Sequence, residues 1–325
     1  MSVAPNSSAK TPNALPHALV VATRGSPLAL TQATLVARLL AERKPGLTVT
    51  QLVLRTSGDQ FLDRPLATIG GKGLFTKELD EALLAGTADL AVHSMKDMPT
   101  ALPDGLILAG VLEREDPRDV FIAIDGRGPR DLPDGARIGT SSLRRAAQMR
   151  HARPDLRIVP FRGNVETRLR KMRDGEADAT LLALAGLRRL GLANDDGYPG
   201  GVVLDIETML PAPAQGAIGI VCRRGDEPLR ALIAEVDHAD TAVAVTAERA
   251  ALEALDGSCR TPIAALAQIA DGRVALRVAI FSPDGHRLLA TRREGGPSDA
   301  HRLGFDAGSE LRRQAGAGFF IEGVG

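Results

Sequence analysis

The sequence predicts an α/β protein with two α/β domains that face each other across a cleft, followed by a small α+β domain. A strand, a hydroxyl-rich turn and a helix follow one another twice, in VATRGSPLALTQA and in IGTSSLRRAAQM. A second pair of segments repeats in the same order: GTAD is followed by the strand-like LAVHS, and GEAD is followed by the strand-like ATLLA. The C-terminal part instead places two strand-like segments before one helix. Two βαβ units of this kind favour strand ends and helix N-termini that point into a shared cleft.

The first repeat begins with an apolar strand over residues 19–22. Ser26 is a natural N-cap and Pro27 a first-turn proline, so a helix is predicted from there to about Arg43. A second strand is predicted over 47–54.

A Gly-rich segment over 55–73 follows, and its length without clear periodicity is typical of a mobile lid. A helix over 75–85 is predicted to end at Gly86. The strand over 89–92 then delivers HSMKDMP at its carboxyl end.

Two segments are predicted to connect the domains. EREDPRD is a charged, proline-containing crossover, and PAPAQGAIGIVC is a return crossover with a buried strand. An Ala-rich helix over 241–255, strands over 263–269 and 274–281, the turn SPDGH and a final helix over 298–315 complete the chain. The predicted organisation is a disordered lead at 1–16, a first domain at 17–114 with 212–236, a second domain at 115–211 and a C-terminal domain at 237–325.

Composition argues against several functional classes. The 40 basic and 40 acidic side chains cancel, and the chain has no Trp and one Tyr, which disfavours nucleic-acid binding. No apolar run approaches the ~20 residues of a membrane span, and the first residues lack a signal-peptide pattern. We therefore predict a cytoplasmic protein with no nucleic-acid or membrane partner. We also expect a monomer, although composition does not fix the oligomeric state.

The only cysteines are Cys222 and Cys259, with no CxxC and no zinc spacing, so neither a disulfide framework nor a metal site is predicted. Cys222 ends an apolar strand and is expected to be buried. Cys259 lies in the loop DGSCRTP, where Arg260 would favour the thiolate. This makes Cys259 a candidate nucleophile or attachment point, with a structural role as the alternative.

Basic charge is concentrated over 137–173, with eleven Lys and Arg against two acidic residues. Arg144 and Arg145 follow GTSSL in the first turn of a predicted helix, where free N–H groups and the helix dipole already present positive charge. We expect an anion there. Arg162, in the turn-like FRGN, and Arg168, in the next helix, are expected to point to the same strand ends. A solvated helix face is expected instead for Arg150, Arg153, Arg170 and Arg173.

Seven motifs extend this argument to most of the chain. GGKGLFTKEL, AVHSMKDMP, EREDPRD, GTSSLRR, FRGNVETRL, LPAPAQGA and GSCRTPI occur in this order. Through them the chain, from Leu19 to its C-terminus, closely resembles the porphobilinogen deaminase (hydroxymethylbilane synthase) family. The resemblance implies periplasmic-binding-protein-like domains and a transferase of heme biosynthesis. Such an enzyme condenses four porphobilinogen molecules head to tail with release of ammonia, then hydrolyses the product off as hydroxymethylbilane.

The resemblance also implies a dipyrromethane cofactor joined by a thioether to Cys259. Porphobilinogen carries an acetate and a propionate, so a growing oligopyrrole needs many arginines in one cleft. Asp97 matches the catalytic aspartate of the family, and its carboxylate could stabilise the cation left by ammonia loss, hold pyrrole N–H groups and move protons. A solvent-facing loop aspartate is the alternative.

Further roles follow from the resemblance residue by residue. The implied cofactor-side residues are Lys96, Asp59, Thr140, Ser141, Ser142, Arg144 and Arg145. The implied substrate-side residues are Arg24, Ser26, Gln32, Phe75, Arg162, Arg168, Arg189 and Gln215. Structural hydrogen bonding is an equally good interpretation of Gln32, Asp59 and Gln215, and Phe75 could cover a pyrrole ring or anchor its helix. His93 is expected to hydrogen-bond structurally.

Two rival functions remain open on fold alone. A two-domain cleft with helix N-termini would also suit a non-enzymatic solute-binding or effector-sensing protein for a small anion. An enzyme acting on a phosphorylated sugar could use the same arginines. Neither rival needs a cofactor cysteine together with Asp97.

Overall fold

Three β-sheets organise residues 15–60, 73–256, 261–316 and 318–320, the part of the chain that the computed structural model describes. Two of the sheets have five strands, and the third has three. The predicted class, two α/β domains with a small α+β domain, is confirmed. Among the described helices, none is long and apolar enough to cross a membrane.

The first sheet contains the first four strands of the chain and one late strand. Its strands are β1 (Ala18–Arg24), β2 (Thr48–Leu54), β3 (Leu90–Ser94), β4 (Leu106–Val111) and β10 (Ile218–Arg223). The strand order is β2-β1-β3-β10-β4, with β10 antiparallel to both neighbours. Its helices are α1 (Pro27–Arg43), α2 (Ser57–Gln60), α3 (Lys77–Leu84) and α7 (Glu227–Ala234).

The second sheet repeats this arrangement. Its strands are β5 (Asp119–Ala123), β6 (Arg137–Gly139), β7 (Arg157–Val159), β8 (Ala179–Ala183) and β9 (Gly201–Val203). The order β7-β6-β8-β5-β9 places β6 where β1 lies in the first sheet, and β5 is the antiparallel strand. Its helices are α4 (Leu143–Ala152), α5 (Val165–Arg173) and α6 (Leu184–Arg189). The internal repeat predicted from the sequence is therefore a repeat of topology.

The third sheet is an antiparallel meander covered by two helices. It consists of β11 (Ile263–Ala270), β12 (Arg273–Phe281) and β13 (Leu288–Gly295), with α8 (Ala239–Ala254) and α9 (Ala300–Ala315) packed on it. The two helices approach closely because α9 has glycines on the contact face. A Cβ added to Gly304 would lie 1.9 Å from the carbonyl oxygen of Ala247.

The helix and strand signals at the cleft are largely confirmed. Ser26 caps α1 by accepting a hydrogen bond from the backbone N–H of Ala29 at 3.3 Å, and Pro27 is its first residue. The predicted burial of Cys222 is also confirmed, since the residue is fully buried in the hydrophobic core of the first sheet. Burial raises the pKa of its thiol to about 11, so this cysteine is chemically inert at neutral pH.

Candidate active site

A cleft of about 1020 Å³ lies between the two α/β domains and extends to the C-terminal domain. Side chains from β1, the turn after β3, α4, α5, α6 and the return crossover meet there. The sequence-predicted residues that line it are Arg24, Ser26, Gln32, Phe75, Lys96, Asp97, Ser141, Ser142, Arg144, Arg145, Arg162, Arg168, Arg189 and Gln215. The side chain of Asp59 and the whole of Cys259 lie outside the described residues.

Helix N-termini from both domains enter this cleft. The hydroxyl of Ser26 caps α1, and the hydroxyl of Ser142 caps α4 by accepting from the backbone N–H of Arg145 at 3.4 Å. Asn164 caps α5 in the same way, accepting from the N–H of Thr167 at 2.8 Å. Three capped N-termini thus direct their partial positive charge toward one space, which favours an anionic ligand.

Arg144 and Arg145 are buried, and their charge is balanced from within the chain. Asp119, the first residue of β5, accepts from the Nε and Nη2 atoms of Arg145 at 3.1 and 2.6 Å. Its other oxygen lies 2.8 Å from Nη2 of Arg144. Nη1 of Arg145 donates to the carbonyl of Leu181 and Nη1 of Arg144 donates to that of Leu210, each at 2.8 Å. Nε of Arg144 is buried without a hydrogen-bond partner among the described residues. Part of the anion expected at this helix is therefore a carboxylate of the protein itself.

No sequence pattern singled out Asp119, which belongs to the motif taken as a crossover. The available signal was its position at the head of the apolar strand DVFIA, since a carboxylate in such a strand needs cationic partners. Burial alone would raise the pKa of Asp119, but Arg144 and Arg145 hold it well below its ordinary value. The group is thus a permanent negative charge.

A hydrogen-bonded chain crosses the cleft from this carboxylate. Lys96 donates to Oε1 of Gln215 at 3.3 Å, and Nε2 of Gln215 donates to Asp119 at 3.1 Å and to the carbonyl of Pro117 at 2.7 Å. Burial lowers the pKa of Lys96 to about 8; Arg145 acts in the same direction, and the two carboxylates nearby oppose it. Gln215 is thus both a cleft residue and a structural hydrogen-bonding residue.

Asp97 ends the 3₁₀ turn that follows β3, half-buried on the cleft wall. It is close enough to Arg168 of the opposite domain to counter the fall of that guanidinium's pKa, which burial and Arg145 lower to about 10. Asp97 is half-buried rather than fully exposed, and it lies near Lys96 of its own domain and Arg168 of the other domain.

The arginines further along the cleft are oriented by backbone carbonyls. Nε of Arg168 donates to the carbonyl of Gly163 at 2.9 Å. Nη2 of Arg189 donates to the carbonyl of Gly216 at 2.6 Å, and burial lowers its pKa to about 10. Arg162 also lines the cleft. By contrast, the cleft lining does not include Arg150, Arg153, Arg170 and Arg173. Arg170 and Arg173 are exposed as expected, but the expectation of a solvated face is wrong for Arg150 and Arg153, which are half-buried and donate to the carbonyls of Pro283 and Leu132.

Phe75 and Arg24 form a stacked pair, with the guanidinium carbon 4.3 Å from the ring centroid. The ring is half-buried, so it is neither a core anchor nor a free side chain. Such a contact fixes the orientation of the guanidinium plane.

Three polar residues shape the wall. Gln32 is buried and shares a hydrogen bond with Ser94 across 2.9 Å, which ties α1 to β3. Thr140 is outside the cleft lining, and its hydroxyl accepts from the backbone N–H of Ser142 at 3.1 Å. Ser141 lines the cleft and accepts from the N–H of Phe161 at 3.0 Å. Thr140 therefore shapes the turn that presents Ser141 and Ser142.

Fold and site together define a protein of two α/β domains with a cationic cleft between them, to which a third domain adds lining residues. The model of the porphobilinogen deaminase dipyrromethane cofactor binding domain matches residues 19–231, and that of the porphobilinogen deaminase C-terminal domain matches 242–313. The chain therefore belongs to the porphobilinogen deaminase family, transferases of tetrapyrrole synthesis.

Individual relatives agree with this assignment. The chain is 52% identical over 302 residues to porphobilinogen deaminase of Nitrobacter winogradskyi, covering 92% of this chain and 94% of that one. It is 49% identical over 308 residues to the chloroplastic porphobilinogen deaminase of Oryza sativa subsp. japonica, covering 92% and 85%. Among solved structures, the methionine binding protein MetQ is similar at 14% identity and a TM-score of 0.43, covering 67% of this chain and 89% of that chain.

Proposed function

We propose that the cleft joins four porphobilinogen molecules head to tail on a dipyrromethane primer, releases ammonia at each step and finally hydrolyses the tetrapyrrole to hydroxymethylbilane. One observation supports this most directly. The turn that holds Lys96 and Asp97 on one domain faces Arg145 and Arg168 of the other. A carboxylate among cations that can bind acidic rings is the arrangement this chemistry needs.

The donor set fits the dipyrromethane group. Its pyrrole rings bear carboxylates, and Arg144, Arg145 and Lys96 present cationic donors beside the hydroxyls of Ser141 and Ser142. When bound, the group supplies the free pyrrole α-position to which the next ring is joined. Leu252 and Thr261, on either side of the segment that contains Cys259, both line the cleft, which supports that cysteine as the point of thioether attachment.

Asp97 is the group we assign to the chemical step. Loss of ammonia from the substrate leaves a cation, and an adjacent carboxylate lowers the barrier by matching that charge where it develops. The same carboxylate can accept a pyrrole N–H bond and take up the α-proton as the new bond is completed. Its position on the short turn after β3 fixes it to a rigid sheet.

The second domain supplies most of the substrate contacts in this proposal. Arg162, Arg168 and Arg189 would take the acetate and propionate groups of successive rings, since guanidinium forks bind carboxylates in two-point geometry. Arg24 and Phe75 from the first domain would contact the incoming ring, with the capped N-terminus at Ser26 adding a further anion site.

Further proposals concern the whole chain. We retain the boundaries predicted above, with 17–114 and 212–236 as the first domain, 115–211 as the second and 237–325 as the third, and the sheets are consistent with them. We also retain a monomer that acts in the cytoplasm. Size-exclusion chromatography with light scattering tests the former, and cell fractionation tests the latter.

The test of the chemical role compares Asp97→Asn with Asp104→Asn, an exposed turn aspartate of the same domain. Asp97→Asn should lower kcat by about 10² or more, the usual scale for a general acid-base group, while intact mass shows the same cofactor content in both variants. A kcat within threefold of Asp104→Asn would remove Asp97 from the mechanism.

A further inference from the structure

Asp119 is a buried charge that the proposed chemistry does not use. The residue is fully buried at the head of β5 and does not belong to the lining of the cleft. Its two oxygens receive Arg144 and Arg145, and Gln215 adds a further donor at 3.1 Å. The carboxylate is thus held by two ion pairs and one amide hydrogen bond, and the cleft lining does not include it.

This carboxylate connects three separate parts of the chain. The arginines stand in the first turn of α4, Gln215 belongs to the return crossover, and Lys96, which donates to Gln215, follows β3 in the first domain. One side chain therefore orients donors on both walls of the cleft. Each donor reaches the cleft from a position that Asp119 holds directly or through Gln215.

The charge balance of the group favours an incoming anion. Two carboxylates, Asp119 and Asp97, stand against the cations of Arg144, Arg145, Lys96 and Arg168, so the group keeps a positive excess toward the cleft. With no internal counter-charge, two buried guanidiniums would repel one another and turn toward water. Asp119 supplies enough charge to hold them and too little to neutralise them.

We propose that Asp119 is a positioning residue, a resident counter-ion that holds Arg144 and Arg145 ready to receive a carboxylate before the cofactor is attached. Its link to the cofactor rests on the proposed function; its effect on anion binding does not. Two physical effects of its removal have opposite signs. Added net positive charge would tighten anion binding, whereas loss of the preset guanidinium geometry would weaken it.

The test uses cofactor-free protein, inorganic sulfate as the anion probe and the variant Asp119→Asn. The matched control is Asp178→Asn, which removes the carboxylate of the half-exposed Arg137–Asp178 pair, 2.8 Å apart, beside the same sheet. Calorimetric titration should show sulfate binding weakened by about tenfold in Asp119→Asn, the scale at which groups that orient ligands act, and unchanged in Asp178→Asn. Sulfate affinity in folded Asp119→Asn that is unchanged or tighter overturns the proposal.

A second readout separates this proposal from the proposed function. Incubation of the cofactor-free variants with porphobilinogen, followed by intact mass, should show loading slowed to a similar degree in Asp119→Asn alone. If unsubstituted protein binds sulfate but never gains mass, the proposed function fails, while the role of Asp119 is still decided by the sulfate titration.

Asp119→Asn could fail to fold because two buried cations lose their partner. In that case the test compares the double variant Asp119→Asn, Arg144→Gln with Arg144→Gln alone. The double variant has lost one charge of each sign. The double variant is more positively charged than Arg144→Gln. It should nevertheless bind sulfate about tenfold more weakly, because no carboxylate orients Arg145. Equal or tighter binding by the double variant overturns the proposal.

Discussion

Arg114 and Glu248 form a two-point ion pair in the interior, with Nη1 to Oε1 at 2.6 Å and Nη2 to Oε2 at 3.1 Å. Glu248 is fully buried on α8, and its carboxylate also accepts from the backbone N–H groups of Ala214 at 2.5 Å and Ala267 at 2.7 Å. Arg114 lies in the outgoing crossover and Ala214 in the return crossover. One carboxylate therefore fastens both connections between the α/β domains to the third domain.

Glu248→Gln should lower the free energy of unfolding by about 3 kcal/mol or more, because it leaves a buried guanidinium without its counter-charge. Denaturant unfolding followed by circular dichroism measures this. Glu42→Gln is the control, since Glu42 pairs with Arg38 on an exposed helix face at 3.3 Å and such pairs contribute only about 0.5 kcal/mol. Equal midpoints for the two variants would contradict the role given to Glu248.

Lys96 should make anion binding by the cofactor-free protein depend on pH. Burial lowers the pKa of this ammonium to about 8, so it loses its charge as pH rises through that value, and sulfate affinity should fall over the same interval. The unfolded chain, with the ordinary lysine pKa, binds more protons above pH 8, so this group makes the fold more stable as pH rises there.

Lys96→Arg should abolish the fall in sulfate affinity near pH 8, because a guanidinium stays charged. Lys77→Arg, on an exposed helix face, should leave it in place. Titrations between pH 7 and 9 provide the measurement. If sulfate affinity still falls near pH 8 in Lys96→Arg, a group other than Lys96 causes the fall.

His93 should contribute to loss of stability in acid. Burial lowers the pKa of this imidazole to about 4, and Arg24 acts in the same direction. Between pH 6.5 and 4 the unfolded chain binds a proton at this imidazole and the folded chain does not. The contribution of His93 to the free energy of unfolding is therefore present above pH 6.5 and is lost as pH falls. Asp80, whose pKa burial raises to about 6, acts with the opposite sign over part of this interval.

His93→Gln should therefore flatten the pH dependence of unfolding between pH 4 and 6.5, by up to about 3 kcal/mol at 1.4 kcal/mol per pKa unit. His286→Gln, in an exposed turn, is the control. Urea midpoints across this range measure the effect. The same slope in both histidine variants would show that His93 titrates normally.

What could be predicted from the sequence depended on how local each signal was. The bounds of α1 followed from Ser26, Pro27 and the apolar spacing, all within one segment. Strand β13 was missed because its LLATRREG pattern includes three charged residues, which lie along an edge strand that alternates between exposed and half-buried positions. Asp119 was missed because its partners are brought to it only by the pairing of β5 with β8 and the packing of α4.

For the site residues too, the positions could be predicted from sequence motifs, but the contacts could not. Of the seventeen site residues that the resemblance implied, fourteen line the cleft, but the resemblance did not give their contacts. For Phe75, the sequence offered a ring cover and a core anchor. The structure shows its half-buried ring against Arg24 on the cleft wall, and contact with a bound ring stays a proposal. The lid predicted over 55–73 contains α2, and residues 61–72 lie outside the described residues.

The most direct test of the central claim is the mass of the purified protein under denaturing conditions, followed by peptide mapping around Cys259. The proposed function predicts an excess equal to two linked pyrroles on the Cys259 peptide, further ring-by-ring additions with porphobilinogen, and neither in Cys259→Ser. An unmodified Cys259 that stays unmodified after incubation with porphobilinogen or hydroxymethylbilane would contradict it.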